Sequence, residues 1–209
     1  IPVVSSVVVG VLMLKMLGPP LADALVALGH QLEAMQTGSA IGLAMLLGAM
    51  IAFDMGGPVN KAAFFFASGL IAQGNFLMMG AVAAAICTPP LGLGLATMIS
   101  RKQWSEEQRE SGIAAMAMGM IGITEGAIPF AASDPLRVIP CIMLGSMTAS
   151  TIAMLASVGD QAPHGGPIVL PVVINRGMYV VAILAGMVVT AVAINVLKKV
   201  WKAPGERAE

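Results

Sequence analysis

Charge is what this chain has least of. Only 11% of its 209 residues are Asp, Glu, Lys or Arg, against about 25% in a soluble domain. Eleven basic residues cancel eleven acidic ones, so there is no cationic footprint for nucleic acid, and that partner is excluded. Aromatics make up 4%, too few for interfacial belts of Trp and Tyr to orient the chain. The two cysteines, Cys87 and Cys141, sit among apolar neighbours and offer neither metal-ligand spacing nor a disulfide framework. They read as buried, inert thiols. The two histidines, His30 and His164, are far apart, and no Ser–His–Asp arrangement, phosphate-cradling loop or metal motif is present. No catalytic residue, metal or cofactor is therefore expected.

What remains is grease. Hydrophobic residues reach 57%, with 24 glycines and 17 methionines. The expected fold is an all-α membrane protein of several transmembrane helices, since about 20 apolar residues cross the hydrocarbon as helix. The apolar stretches are Pro2–Leu17, Gly38–Phe53, Ala62–Ile71, Gly80–Ile99, Ile113–Ile128, Val138–Val158 and Gly177–Leu197, with an amphipathic Leu21–Gln36 between the first two. Gly80–Ile99 carries Pro89 and Pro90 and is expected to break there. The chain opens at Ile1 inside an apolar run, with no basic n-region, so residues 1–209 are expected to be part of a longer polypeptide.

Arg101–Glu110 is the one dense charge run and reads as an aqueous loop. Its Arg101, Lys102 and Arg109, like Lys198, Lys199, Lys202 and Arg207 of the tail, ask for the cytoplasm. Three apolar stretches between these two segments would put them on opposite sides. Either one stretch turns back or Ile168–Ile174 adds a crossing. A re-entrant element around Glu125 is favoured, because Gly126 and Pro129 interrupt helix there, and non-helical backbone at membrane depth survives only where protein or a wet cavity satisfies it.

Three polar islands interrupt the apolar chain: Phe53–Ala63, Gly122–Arg137 and Ala162–Pro167. Ionisable groups at such depth are costly unless they face a protein interior or a wet cavity, so the islands are expected to share one polar site. Glu125, beside Thr124, can accept hydrogen bonds from substrate hydroxyls; a helix cap or an ion pair with Arg137 is the structural alternative. His164 in Pro-His-Gly-Gly-Pro offers one donor and one acceptor as neutral imidazole, and a lone histidine is more often structural. Asp54, Asn60 and Lys61 flank Gly56-Gly57-Pro58, whose turn is expected to bring Asp54 near Lys61 and neutralise it. Asn60 is the better hydroxyl reader of that group. Asp134 and Arg137 read as a salt bridge closing a turn, Arg176 as a helix-end anchor and Asp160 as a loop cap.

At these islands, DMGGPVNKAA, ITEGAIPFAASDPLRVIP and APHGG in that order, the sequence resembles the enzyme IIC membrane component of the fructose-type sugar phosphotransferase system. The resemblance runs through most of the chain and corresponds to the C-terminal part of that component. It implies a multi-pass carrier of the bacterial inner membrane, a homodimer surrounded by lipid, which presents fructose or a related sugar for phosphorylation during uptake. The phosphoryl group would come from a cysteine of a IIB domain, so the phosphoryl-carrying residue is not in this chain, and neither Cys87 nor Cys141 fills that role. Sugar contacts fall most naturally on Glu125 and His164, with Asn60, Lys61, Thr124 and Asp54 as further candidates. The departure from the family is the absent N-terminal helices. On residue physics alone, an ion- or proton-coupled secondary transporter using Glu125 and Asp54 is the alternative.

Overall fold

The computed structural model describes residues 2–12, 15, 16, 19, 23 and 40–201. The chain falls into two units, Ile1–Ser39 and Ala40–Glu209. In the first, α1 spans Pro2–Leu12; apart from Asp23, the expected helix Leu21–Gln36, with His30, and the tail beyond Trp201 lie outside the described residues. The second unit contains α2 (Ala40–Phe53), α3 (Pro58–Gly69), α4 (Leu77–Ile99), α5 (Glu106–Met120), α6 (Ile128–Ser133), α7 (Pro135–Leu155) and α8 (Arg176–Val200). A two-residue antiparallel pairing joins β1 (Gly159–Asp160) to β2 (Val173–Ile174). Among the described residues, three helices, α4, α7 and α8, are long and apolar enough to cross a membrane.

Of these three, α4 is the centre. It is 83% buried over its most apolar window, against 39% for α8. The others close on it through small residues. A Cβ on Gly92 would strike Thr190 of α8, and one on Gly48 of α2 would strike Ser146 and Ser150 of α7. Close approach through Gly, Ala and Ser is how helices associate where lipid supplies no hydrophobic drive.

Contrary to the expected break, α4 runs unbroken through Pro89 and Pro90. A proline removes the N–H that would bond the carbonyl four residues back, here those of Ala85 and Ile86. Both are recaptured by side chains from elsewhere. Ser146 of α7 donates its hydroxyl to Ala85 O at 3.2 Å, and Thr124 donates to Ile86 O at 3.0 Å. Freed backbone groups in a membrane helix are tolerated when neighbouring hydroxyls take them up.

One end of the bundle is tied by polar contacts. Trp104 Nε1 donates to Asn195 Oδ1 at 2.9 Å, and Asn195 Nδ2 donates to Ala96 O at 3.1 Å. Lys198 Nζ lies 3.8 Å from the centre of the Trp104 ring and donates to Gln103 O. Arg137 pairs with Asp134 and donates to the carbonyl of Trp201 at 3.0 Å. The charge run is thus partly structured rather than a plain loop. Ser105 caps α5 through a reciprocal capping box with Gln108, and Trp104 is buried.

These contacts place the entry of α5 and the exit of α6 at the same end, with α7 leaving from it and α8 returning to it. The apolar stretch Ile113–Ile128 is interrupted at Gly122 (φ 77°), between α5 and α6. Ile168–Ile174 is a 3-10 turn (Pro167–Val172) followed by β2, not a further crossing helix.

Candidate functional site

Two segments outside the α-helices, the start of a 3-10 turn (Thr124–Ala127) and the loop at Gly166, reach the middle of α4 from different parts of the chain. Thr124 bonds Ile86 O, while Gly166 N donates to Ala83 O at 3.1 Å. Residues 83–86 lie six to nine positions into α4, about 9–14 Å along its axis at about 1.5 Å per residue. The turns also touch each other. A Cβ on Gly122 (φ +77°) would collide with Gly165 O, and one on Gly166 (φ +84°) would come within 3.0 Å of Gly122 Cα and N. Only glycine gives both the left-handed conformation and the approach. Tyr179 of α8 holds the second turn by donating its hydroxyl to Gly166 O at 3.0 Å.

His164 belongs to that second turn. Its Nε2 lies 2.7 Å from the carbonyl of Ile121, so Nε2 carries a proton and donates, which leaves Nδ1 for another partner. Asp160, at the foot of the turn, is fully buried; its Oδ1 accepts from Ala162 N at 2.9 Å, and its Oδ2 has no hydrogen-bond partner among the described residues. Burial pushes this carboxyl up to about 6, opposed by the Ala162 hydrogen bond, the nearby His164 and the Gln161 amide. It caps the loop.

The first island closes on itself before it meets the others. Asp54 Oδ2 accepts from Val59 N at 2.7 Å and Oδ1 from Asn60 N at 2.8 Å, placing a carboxylate on the first-turn amides of α3. Asn60 is buried, and its Nδ2 donates to Ile51 O at 2.5 Å. The turn between runs through Met55 (φ 42°) and Gly56 (φ 109°). Asp54 therefore does not neutralise Lys61, as the turn in the sequence suggested. It is spent on backbone amides, and Lys61 Nζ lies 3.7 Å from Glu125 Oε1 instead. That oxygen also packs on Gly56, where a Cβ would collide with it.

The three islands are thus joined through the middle one. Lys61 and Gly56 meet Glu125, Ile121 and Gly122 meet His164 and Gly165, and Thr124 anchors the junction to α4. The six candidates separate by what their polar atoms are doing. Asp54, the amide nitrogen of Asn60 and the hydroxyl proton of Thr124 are committed to backbone partners. Glu125 and Lys61 are 41% and 47% exposed, and with the half-buried His164 they retain groups for a ligand. The alternative pairing of Glu125 with Arg137 does not occur, because Arg137 is taken by Asp134 and Trp201. Arg176 Nη2 donates to Pro171 O at 2.6 Å, the helix-end role expected of it. Cys87 and Cys141 are both free and buried. Among the described residues no group of three or more His, Cys, Asp or Glu side chains is placed to hold a metal ion.

Fold and site together define a helical membrane protein with a polar seam against the middle of its most buried long helix. Comparison with known proteins names its kind. The chain is 48% identical over 209 residues, all of it and 58% of the relative, to the fructose-like permease IIC component 2 of Escherichia coli K12. It is 45% identical over 202 residues, 95% of it and 36% of the relative, to the fructose-specific EIIB'BC component of the same bacterium's PTS. With the fructose permease IIC component of Bacillus amyloliquefaciens it shares 41% identity over 198 residues, covering 65% of that protein. The chain belongs to the IIC membrane components of the fructose-type phosphotransferase system. It spans less than two thirds of the length of these relatives. No family model matches the chain, and no solved structure does.

Proposed function

We propose that this chain forms the substrate-carrying part of a phosphotransferase sugar permease, in which Glu125 and His164 hold sugar hydroxyls between the two turns that meet at Gly122. The observation that carries the reading is the line Lys61–Glu125–Gly122–His164, drawn from three separate islands onto the middle of a buried helix. Carboxylate, ammonium and imidazole together offer acceptors and donors at several angles, the chemistry a polyol requires.

The names of the relatives, fructose permease IIC and fructose-specific EIIB'BC, favour fructose or a related sugar as substrate and a phospho-IIB domain as donor. They also favour the phosphotransferase reading over an ion- or proton-coupled carrier. The bundle end bearing Arg101, Lys102 and Lys199 faces the cytoplasm of a bacterial inner membrane under the rule that basic loops stay inside. The segments 106–134 and 156–175 are then re-entrant elements entering from opposite faces. A homodimer is part of the same proposal.

The test is uptake of labelled fructose by the complete protein in vesicles with phospho-IIB inside. Recovery of sugar phosphate, dependent on the phosphoryl donor and lost in Glu125→Gln, is expected. Accumulation of unmodified sugar driven by an ion gradient alone would reject it in favour of the ion-coupled alternative.

A further inference from the structure

Two shallow clefts flank the end of α4, and their charges differ. One is lined by Arg101, Arg109, Glu106 and Glu110, so its cations are matched by acids. The other, of about 480 Å³, is lined by Arg101, Lys102, Lys199, Gln103 and Ser100 with Met98 and Ile99, and no acidic side chain lines it among the described residues. Three cations thus share this recess; Arg101 also borders the first cleft with its acids, while Lys102 and Lys199 line only the second of the two.

The apolar wall of the same recess is unusual for a water-facing anion site. Met98 is 50% and Ile99 62% exposed, and the neighbouring Val200 is 80% exposed. These residues end two helices long enough to span a bilayer. Cations and exposed apolar side chains meet where helix ends pass from hydrocarbon to headgroups, and the arrangement suits an amphiphile with an anionic head.

We propose that the cleft formed by Arg101, Lys102 and Lys199 beside Met98 and Ile99 binds the headgroup of an anionic phospholipid, with the acyl chains running along the ends of α4 and α8. The cations supply charge and hydrogen-bond donors to the phosphate, while Met98 and Ile99 meet the glycerol and first methylenes. A soluble acidic protein surface would use the charges but would leave this apolar wall in contact with lipid. Lys198 is not one of the recruiting charges, because it is engaged with Trp104 and Gln103.

The experiment is native mass spectrometry of the complete purified protein with phosphatidylglycerol or phosphatidylcholine in matched detergent. Phosphatidylglycerol should be retained in preference, and each of Arg101→Gln, Lys102→Gln and Lys199→Gln should reduce that preference about fivefold, as expected of one basic side chain near an anionic surface. The triple substitution should bring the two lipids to parity. Circular dichroism checks its folding, and a salt titration of the wild type, which should erode the preference, serves if the triple variant does not fold. An undiminished preference in the folded triple variant overturns the proposal. So does displacement of the lipid by millimolar inorganic phosphate, which would show a free-anion site. Loss of phospho-IIB binding with lipid preference intact would make the cleft a protein dock and overturn it equally. None of these readouts depends on sugar binding.

Discussion

The hydroxyl of Thr124 donates at 3.0 Å to the carbonyl of Ile86, the acceptor that Pro90 leaves without its helical N–H. One bond thereby mends a proline-damaged helix and fixes the residue before Glu125 against the middle of the bundle. Thr124→Val should leave a buried acceptor unsatisfied, at a cost of about 1–3 kcal/mol, while Thr124→Ser should be near wild type. Thermal unfolding in detergent measures the difference. Sugar affinity should fall alongside stability in the valine variant, because Glu125 loses its anchor. Equal unfolding temperatures for valine and serine would show that the hydroxyl does not serve Ile86.

Glu125 and Lys61 form an ion pair at 3.7 Å in which both partners are over one third exposed. Such pairs contribute at most about 1 kcal/mol to stability. Lys61→Met and Glu125→Gln should therefore both fold. Their sugar affinities should part: Glu125→Gln removes a charged acceptor and should weaken binding roughly tenfold or more, while Lys61→Met removes one donor and a partner that places Glu125 and should cost a few fold. Isothermal titration with fructose separates them, and unchanged affinity in Glu125→Gln removes it from the site.

Much of this was legible in the chain. The three islands stood out because polar side chains among Gly and Pro are costly in lipid. What the sequence hid was pairing. Asp54 sits close to Lys61 along the chain, yet the nearer claim on Asp54 is the pair of amides at the start of α3, and Lys61 finds Glu125 on another segment. The continuity of α4 was equally hidden, since the hydroxyls that rescue it come from 38 and 61 residues away. No local pattern announces such donors. Trp104, in the charge run, looked solvated for the same reason: its partner Asn195 is 91 residues distant.

Gly56 has φ +109° and lies against Glu125, so Gly56→Ala introduces both backbone strain and a collision with the carboxylate. A side chain forced into such a conformation costs about 1–3 kcal/mol, and relief requires Glu125 to move. The expected result is a moderate loss of thermal stability together with a loss of sugar binding as large as that of Glu125→Gln. Stability lost with affinity retained would mean that the position of Glu125 over Gly56 is not the binding geometry.

Asp160 carries the clearest pH dependence outside the spanning helices. Its folded-state value is raised from 3.8 to about 6 by burial, so the native state holds a proton more tightly than the unfolded chain. The contribution to stability is greatest below about pH 4, falls as pH rises towards about 6, and is flat above. The fall is bounded at roughly 3 kcal/mol, one pKa unit being about 1.4 kcal/mol. Asp160→Asn cannot ionise, so its unfolding temperature between about pH 4 and pH 6 should lack this downward component, while the amide oxygen still accepts from Ala162 N. Because His164 is the nearby group whose charge favours the ionised carboxylate, His164→Gln should raise the Asp160 midpoint and extend the fall to higher pH. Unfolding temperatures of the wild type and both single variants across pH 4–8 decide this. A wild-type profile parallel to that of Asp160→Asn would mean the carboxyl finds a partner for its second oxygen and titrates as an ordinary aspartate.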